Sequence, residues 1–282
     1  MLNFLEKRIA NLAEVSSGNK KSDVSLVLFT LLGQTAVGAF LAVQWMFGPL
    51  WKRISFNTIL LQLIPYLLIG LNLCLAGCIS FAHLGTKKNA WRAITHLRKS
   101  WLSRETLFAG MFGLGWALST LVIGKSWQPV VNWLTVLLGF GLVYSMAEVY
   151  RLRSVPSWNS WRTNGGFFIT SLLTGHLLMA VVLIFESANT SVYLSPILSR
   201  TIISLAIILM IAQLILLLPI DKHKKLMGNK IRIGLILICL ILNLVLLVNP
   251  AQFRLWTVVS IFLIAIIEET IGRWLFYESR NK

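Results

Sequence analysis

Charged residues are scarce in this chain of 282 residues. They make up 13% of it, whereas a soluble globular domain carries about 25%. Acidic residues are the rarest, with 10 Asp and Glu against 26 Lys and Arg, and hydrophobic residues reach 56%. This composition argues against a soluble domain and is typical of a protein that crosses a membrane several times.

Cysteine and histidine are also few, at three and four residues. Cys74 and Cys78 lie one helical turn apart and Cys239 stands alone, so the spacing of a cluster-binding motif is missing. We therefore expect no iron–sulfur cluster and no metal site in this chain. Haem is not expected either, because a membrane haem usually needs two histidines at similar depth. His83 is predicted at a membrane edge and His176 near the middle of a span.

Long apolar stretches occupy most of the sequence. A helix needs roughly 20 apolar residues to cross the hydrocarbon core, and lipid cannot satisfy free backbone N–H and C=O groups. The sequence therefore predicts an all-α integral membrane protein, a bundle of about eight transmembrane helices. The predicted spans are 24–46, 57–83, 105–123, 130–148, 166–186, 196–218, 231–248 and 254–277.

These spans form one predicted transmembrane domain, residues 24–277. A polar N-terminal segment, 1–23, precedes it without an evident cleavable signal, and a short tail, 278–282, follows it. In the loop after the second span, apolar residues recur every three to four positions among Lys and Arg. This pattern predicts an amphipathic helix near 87–102 that lies in the membrane interface. Ser103 is the predicted N-cap of the third span.

The positive charges fall mostly on one side of the predicted bundle. Of the 26 Lys and Arg residues, 21 lie in the N-terminal segment, in the loops after spans two, four and six, or at the C-terminal end. Because such residues favour the cytoplasmic side, both termini are predicted to be cytoplasmic. A basic loop can also dock an acidic partner protein, and the loops after spans two and four are open to that interpretation. Nucleic-acid binding is not indicated.

His83 and Glu105 are the clearest chemical groups, at either end of the loop 84–104. Each has an ordinary explanation. His83 can be an interfacial ring before Gly85, and Glu105 can be a carboxylate that the helix dipole favours in a first turn. On one membrane face, however, a proton-accepting imidazole and a carboxylate together form a candidate catalytic pair.

Other polar residues inside the spans have more than one interpretation. Gln34 either bridges helices or faces a ligand cavity. Glu269 and Arg273, one helical turn apart, are predicted to form an ion pair. Ionisable groups at such depth are costly and often functional. Those whose roles the sequence leaves undecided are Glu148, Glu268 and His176.

Several segments resemble the membrane anchor subunit of the dimethyl sulfoxide reductase family. They are LVLFTLLGQ (26–34), HLGTKKNAWRAI (83–94), SWLSRE (100–105), VPSWNSWRTNGGFF (155–168) and EETIGRWLFY (268–277). The resemblance implies an eight-helix anchor in the bacterial inner membrane, with no metal or haem of its own. Such an anchor binds menaquinol in anaerobic respiration and passes its electrons to an iron–sulfur subunit beside a molybdopterin catalytic subunit. This chain would then oxidise quinol without acting on the terminal substrate.

The resemblance also implies which residues meet the quinol. The histidine of the HLG motif and the glutamate of the LS-x-E motif correspond to His83 and Glu105. After HLG this chain carries Thr86 and Lys87, where the family often has a small polar residue and proline, so the docking surface for the partner is less well defined. Further candidate quinol-binding residues are Gly85, Arg92, Gln34, Trp158 and Trp161.

Other functions stay open at this point. An anchor of a polysulfide, tetrathionate or selenate reductase would look the same, since the catalytic partner selects the substrate. A secondary transporter would carry internal repeats and a helix broken at mid-membrane, and neither is evident. A non-enzymatic assembly factor is the remaining alternative. A proton pump is not predicted, because a continuous proton wire would need more titratable groups at mid-depth.

Overall fold

The computed structural model describes residues 2–46, 59–82, 96–152, 154–155, 158–190, 194–217, 226–249 and 254–278, with the backbone alone for 2–23, 59–62, 82, 189–190 and 226. These residues form eight α-helices and no strand, which confirms the predicted all-α architecture. The helices are α1 (Leu2–Met46), α2 (Ile59–Ala82), α3 (Trp101–Leu121), α4 (Gln128–Tyr150), α5 (Trp161–Thr190), α6 (Pro196–Leu217), α7 (Leu226–Val248) and α8 (Leu255–Glu278).

Seven of the described helices are long and apolar enough to cross a membrane. The exception is α3, which has 21 residues but carries polar and charged side chains in its first turns, at Ser103, Arg104 and Glu105. Large apolar side chains such as Ile197 and Val248 are exposed on the outer helices. In a membrane such side chains face lipid instead of water. The chain is therefore a multi-pass membrane protein.

The starts of α1 and α3 differ from the prediction for identifiable reasons. Helix α1 begins at Leu2, so the backbone of the polar N-terminal segment continues the helix of the first span. Helix α3 begins at Trp101, and its N-cap is Ser100, not Ser103. The backbone of Ser100 is extended, and its Oγ accepts a hydrogen bond from the Ser103 N–H at 3.3 Å. Because the extended Ser100 caps the helix, the N-cap lies three residues before the predicted one.

The predicted interfacial helix near 87–102 is only partly visible. Residues 96–99 form a turn, and residues 101 and 102 belong to α3. The remainder, 87–95, lies outside the described residues. The interfacial helix therefore stays a prediction.

Helices α1 and α5 form the centre of the bundle. Each has 72% of its most apolar stretch buried inside the protein. Helix α1 packs against α2, α4, α5 and α8, and α5 also packs against α4, α6 and α8. The two helices cross where Gly38 meets Gly175, and a Cβ on either glycine would overlap the backbone of the other helix. Small residues at the crossing thus permit the close approach that holds membrane helices together.

The register of α2 against α3 places two helix ends side by side. The Trp116 indole N–H of α3 donates to the backbone oxygen of Tyr66 in α2 at 2.8 Å. Tyr66 precedes Ala82, the last residue of α2, by about as many residues as Trp116 follows Trp101, the first residue of α3. Ala82 and Trp101 therefore lie at the same end of the bundle. This end, which also holds the starts of α5 and α7 and the ends of α4 and α8, is named the Glu105 end.

Candidate functional site

The described residues contain one half of the predicted catalytic pair. Glu105 lies in α3, whereas His83, Gly85 and Arg92 lie outside the described residues. Ala82, which directly precedes His83 in the chain, ends α2 beside the start of α3. The chain therefore leaves α2, towards the HLG motif, at the same end of the bundle as Glu105.

The side chain of Glu105 faces the interior of the protein and is 5% exposed. Its charge acts on the hydroxyl groups of Tyr150 at the end of α4 and Tyr277 at the end of α8. The two tyrosine ring centroids are 5.1 Å apart, and the Tyr277 hydroxyl lies 3.4 Å from Thr30 Oγ1 on α1. Two phenols and a hydroxyl thus meet from three helices, α1, α4 and α8, within electrostatic reach of the Glu105 carboxylate.

Aromatic rings surround these polar groups. Trp158 is buried and stacks on Phe276, with centroids 4.7 Å apart and an interplanar angle of 13°. Its indole N–H donates to the Phe276 backbone oxygen at 3.1 Å. Trp161, by contrast, is 67% exposed, so at the Glu105 end Trp158 lies in the core and Trp161 on the surface. The aromatic cluster consists of Tyr150, Trp158, Phe167, Phe276 and Tyr277.

Gln34 links three helices at the same end. It is completely buried, its Oε1 accepts a hydrogen bond from Arg273 Nη2 of α8 at 2.9 Å, and its backbone oxygen accepts one from Ser171 Oγ of α5 at 2.8 Å. Its Nε2 has no hydrogen-bond partner among the described residues. Gln34 therefore bridges helices and still offers one buried donor.

Arg273 is held between an aromatic ring and two neutral oxygens. Its guanidinium carbon lies 3.6 Å from the centroid of Phe167, which is a cation–π geometry. It donates to Thr170 Oγ1 at 3.3 Å, and the Thr170 hydroxyl donates to Glu269 Oε2 at 2.9 Å. The ion pair that the sequence predicts between Glu269 and Arg273 is therefore bridged by Thr170.

Further contacts extend this series of interactions to α6 and α7. The Gln213 amide nitrogen donates to Glu268 Oε2 at 2.6 Å and to Glu269 Oε1 at 2.7 Å. Glu268 forms an ion pair with Arg232 of α7 at 2.7 Å, over Gly272, where a Cβ would collide with the guanidinium. The ionic network consists of Gln34, Thr170, Gln213, Arg232, Glu268, Glu269 and Arg273.

Sequence reasoning did not identify most of these partners. Glu269, Arg273 and Tyr277 recur every four residues on α8, and that spacing alone places them on one helix face. Gln213 and Arg232 lie on separate helices, and no local pattern in the sequence points to them. Only the packing of α6 and α7 against α8 brings them to the carboxylates.

The opposite end of the bundle contains a neutral polar group. The Asn132 amide nitrogen of α4 donates to Gln44 Oε1 of α1 at 2.7 Å and lies 3.4 Å from the Tyr66 hydroxyl of α2. The Gln44 amide nitrogen donates to its own helix, at the backbone oxygen of Phe40. These residues form the amide cluster, Gln44, Tyr66 and Asn132.

Two residues with undecided roles have protein partners. The Nε2 atom of His176 lies 2.8 Å from the backbone oxygen of Ile202 in α6. Glu148 accepts hydrogen bonds from Arg151 at 2.7 Å and Asn164 at 2.8 Å. These contacts give each side chain a role in joining segments of the bundle.

A family model described as DMSO reductase anchor subunit (DmsC) matches residues 17–278. The chain belongs to this family. The anchor subunit is 29% identical over 171 residues to an anaerobic dimethyl sulfoxide reductase chain of Haemophilus influenzae, which is 57% of this chain and 59% of the relative. It is 32% identical over 175 residues to the anaerobic dimethyl sulfoxide reductase chain YnfH of Escherichia coli, which is 59% of each protein.

A relative from a differently named enzyme is also similar. A sulfite dehydrogenase subunit of Allochromatium vinosum is 31% identical over 130 residues, 40% of each protein. The matched part of the anchor subunit spans less than two thirds of the length of these relatives. The comparisons therefore agree with the resemblance in the sequence, and they leave the substrate of the whole complex to proposal.

Proposed function

We propose that this anchor subunit binds menaquinol at the Glu105 end, oxidises it and passes the electrons to an iron–sulfur subunit that serves a molybdopterin catalytic subunit. The burial of Glu105 carries the proposal. A carboxylate that is 5% exposed in a membrane protein, within electrostatic reach of two phenols, is costly to maintain for structure alone. Its position at the start of α3 suits a proton acceptor near the membrane surface.

The surroundings of Glu105 fit an amphipathic ring. The aromatic cluster offers flat apolar surfaces, and the Gln34 amide offers an unpaired donor. Phe81 and Leu102, at the end of α2 and the start of α3, are 60% and 57% exposed. These side chains provide an apolar surface beside the site for an isoprenoid tail.

The proposed chemistry is proton acceptance by side chains of this subunit. Oxidation of bound menaquinol supplies two electrons and two protons. An unperturbed histidine side chain has a pKa of about 6.5, which suits proton acceptance at neutral pH, so His83 is the proposed first acceptor. Glu105 orients the imidazole and stabilises its positive charge, or passes a proton on to water. The surrounding rings exclude bulk water from the carboxylate.

Substitution of Glu105 by Gln tests the proposal in the assembled complex. We expect menaquinol-dependent reductase turnover to fall about 100-fold, because a general base is lost. An artificial electron donor that reduces the iron–sulfur subunit directly should still support turnover. Glu148→Gln is the matched control, because Glu148 lies at the same end but pairs with Arg151, and it should keep wild-type turnover.

Replacement of His83 by Arg tests the other half of the pair. Menaquinol-dependent turnover should be lost while the complex still assembles. Unchanged turnover in both His83→Arg and Glu105→Gln would contradict the proposed site. Failure of the wild-type complex to bind a menaquinol analogue would contradict the proposed function itself.

The membrane orientation belongs to the same proposal. The excess of Lys and Arg at the Glu105 end supports cytoplasmic termini in a bacterial inner membrane, with the iron–sulfur subunit docked on the cytoplasmic face. Reporter fusions in the loop after α2 test this orientation. Activity of a reporter that works only outside the cytoplasm would place the site on the other face.

The similarity to a sulfite dehydrogenase subunit favours a second candidate function. An anchor that serves a dehydrogenase would pass electrons to a quinone through the same site. Assays of the purified complex with a menaquinol analogue and with a menaquinone analogue distinguish the two directions. The second candidate would be favoured if the complex turned over only in the assay that contains the menaquinone analogue and an oxidisable substrate of the catalytic partner.

A further inference from the structure

We propose that Glu269 is an internal proton acceptor of the anchor subunit, connected to the Glu105 end through Thr170 and Arg273. This inference rests on the proposed function and deepens it, because quinol oxidation releases two protons and the Glu105 end accounts for one acceptor region. The series of contacts, the different partners of the two glutamates and the unpaired polar atoms in the ionic network each support it.

Electrostatic interactions and hydrogen bonds lead from the phenols to Glu269. Arg273 interacts electrostatically with Tyr277 and Tyr150, the two phenols on which the Glu105 charge acts. From Arg273 the path continues to the Thr170 hydroxyl at 3.3 Å and on to the Glu269 carboxylate at 2.9 Å. The Glu269 carboxylate is therefore separated from the Glu105 end by one hydroxyl and one guanidinium.

The two neighbouring glutamates have different partners. Glu268 contacts the guanidinium of Arg232 directly at 2.7 Å, which favours its ionised form. Glu269 receives its hydrogen bonds from the neutral amide of Gln213 and the neutral hydroxyl of Thr170. Two adjacent buried carboxylates repel each other, so one member of such a pair can hold a proton. Glu269 is the member that Thr170 and Arg273 connect to the Glu105 end, so it is the one placed to receive a proton from that end.

Unpaired polar atoms mark places for water along this path. Gln34 Nε2, Arg273 Nε and Gln213 Oε1 are buried and have no hydrogen-bond partner among the described residues. Buried polar groups without a protein partner are normally satisfied by ordered water. Water at these positions would connect the Glu105 end to Thr170 and Glu269 while Arg273 keeps its charge.

The charges that face Glu269 allow its protonation to depend on the charge at the Glu105 end. Helix α8 presents Arg273 and Glu268, and α7 presents Arg232. From α1, α5 and α6 the network residues that approach it are neutral, namely Gln34, Thr170 and Gln213. Because Arg273 lies between Glu269 and the two phenols, a negative charge at the phenol side favours a proton on Glu269.

The proposed step is a proton transfer that conserves charge and electrons. Both electrons from the oxidised quinol leave to the iron–sulfur subunit of the proposed complex. One proton goes to the His83–Glu105 pair and from there to water, and the other forms an O–H bond with the Glu269 carboxylate. That proton later leaves to water on the Arg232 side, where the Arg232 side chain is 14% exposed.

The test uses the assembled complex and compares three substitutions of the same kind. In Glu269→Gln we expect menaquinol-dependent turnover to fall about 100-fold, with retained binding of a menaquinol analogue and retained turnover from an artificial donor. The wild-type rate should rise with pH, because His83 and Glu269 must both be deprotonated to accept a proton, and Glu269→Gln should keep only the part of that limb that belongs to His83. Glu186→Gln, a buried glutamate at the opposite end of α5, is the matched control and should keep both rate and pH profile.

Infrared difference spectroscopy provides a readout that does not depend on turnover. The wild-type complex should show a protonated carboxyl band that titrates with pH, is absent in Glu269→Gln and is retained in Glu268→Gln. Glu268→Gln separates proton holding from folding, because it removes the carboxylate that pairs with Arg232. A carboxyl band that persists in Glu269→Gln, or wild-type turnover with an unchanged pH profile, would overturn the inference. Loss of turnover in Glu105→Gln but not in Glu269→Gln would overturn this inference and leave the proposed function intact.

Discussion

The ionic network and the amide cluster lie at opposite ends of the bundle and join helices with different chemistry. The amide cluster uses three neutral side chains, Gln44, Tyr66 and Asn132, to connect α1, α2 and α4. The ionic network uses two carboxylates and two guanidinium groups among α1, α5, α6, α7 and α8. Neutral side chains are sufficient to hold membrane helices together. Four ionisable groups in one core are therefore more than cohesion needs, and they lie in the half of the bundle that contains Glu105.

Helix α1 contributes to both regions and fixes their separation. Gln34 and Gln44 lie on either side of Gly38, where α1 crosses α5. The crossing also carries hydrogen bonds between the helices, such as the one from Thr35 to Thr174 at 2.9 Å. Because one helix carries both glutamines, the crossing at Gly38 determines the register of both regions at once.

The largest expected effect comes from Gly38→Val. A side chain at this position would overlap the backbone of Ser171, and a rigid backbone cannot yield as a flexible side chain can. We expect α1 and α5 to separate, which would disrupt both polar regions, so no folded anchor subunit should be recovered. Size-exclusion chromatography in detergent measures the recovery.

The matched control is Gly77→Val on α2, where a Cβ would meet nothing within 4 Å. It should give normal amounts of folded protein. Normal recovery of Gly38→Val would show that the α1–α5 crossing does not determine the register of the two regions.

The sequence predicts the fold more completely than the site. Hydrophobic length alone gives the eight helices, because lipid leaves no other way to satisfy the backbone. Local spacing places Glu269, Arg273 and Tyr277 on one face, but it suggests a direct pair where Thr170 intervenes. The pairing of Arg232 with Glu268 joins different helices, and such a contact follows from packing that no local pattern encodes.

The aromatic cluster shows the same limit on a smaller scale. Trp158 and Trp161 stand three residues apart in one tryptophan-rich segment, and the sequence treats them alike as candidate binding residues. Trp158 is buried on Phe276, whereas Trp161 lies on the surface. Only the docking of this segment against the end of α8 separates their roles.

An intermediate effect is expected from Arg232→Met. Loss of the guanidinium leaves the Glu268 carboxylate, which is 2% exposed, without its ionic partner. Breaking a buried pair in this way typically costs about 3–5 kcal/mol. The double substitution Arg232→Met with Glu268→Leu should recover most of that loss, because an apolar pair needs no charge compensation. Denaturant titration of the purified subunit in detergent measures the free energy of unfolding for each variant.

The two single variants and the double variant form a double-mutant cycle. A coupling energy near zero would mean that the Arg232–Glu268 pair does not contribute as a unit. In that case the ionic network would resemble the amide cluster in its energetics, and the comparison between the two ends would lose its basis.

The smallest effect is expected in the amide cluster, from Asn132→Leu. The substitution removes the hydrogen bond to Gln44 but leaves no charge uncompensated. Hydrogen bonds between membrane helices contribute about 0.6 kcal/mol on average. The free energy of unfolding should therefore fall by about that amount, and Gln44→Leu in the same background should add little. If Asn132→Leu lowered the free energy of unfolding as much as Arg232→Met does, neutral groups would stabilise this bundle as strongly as charged ones.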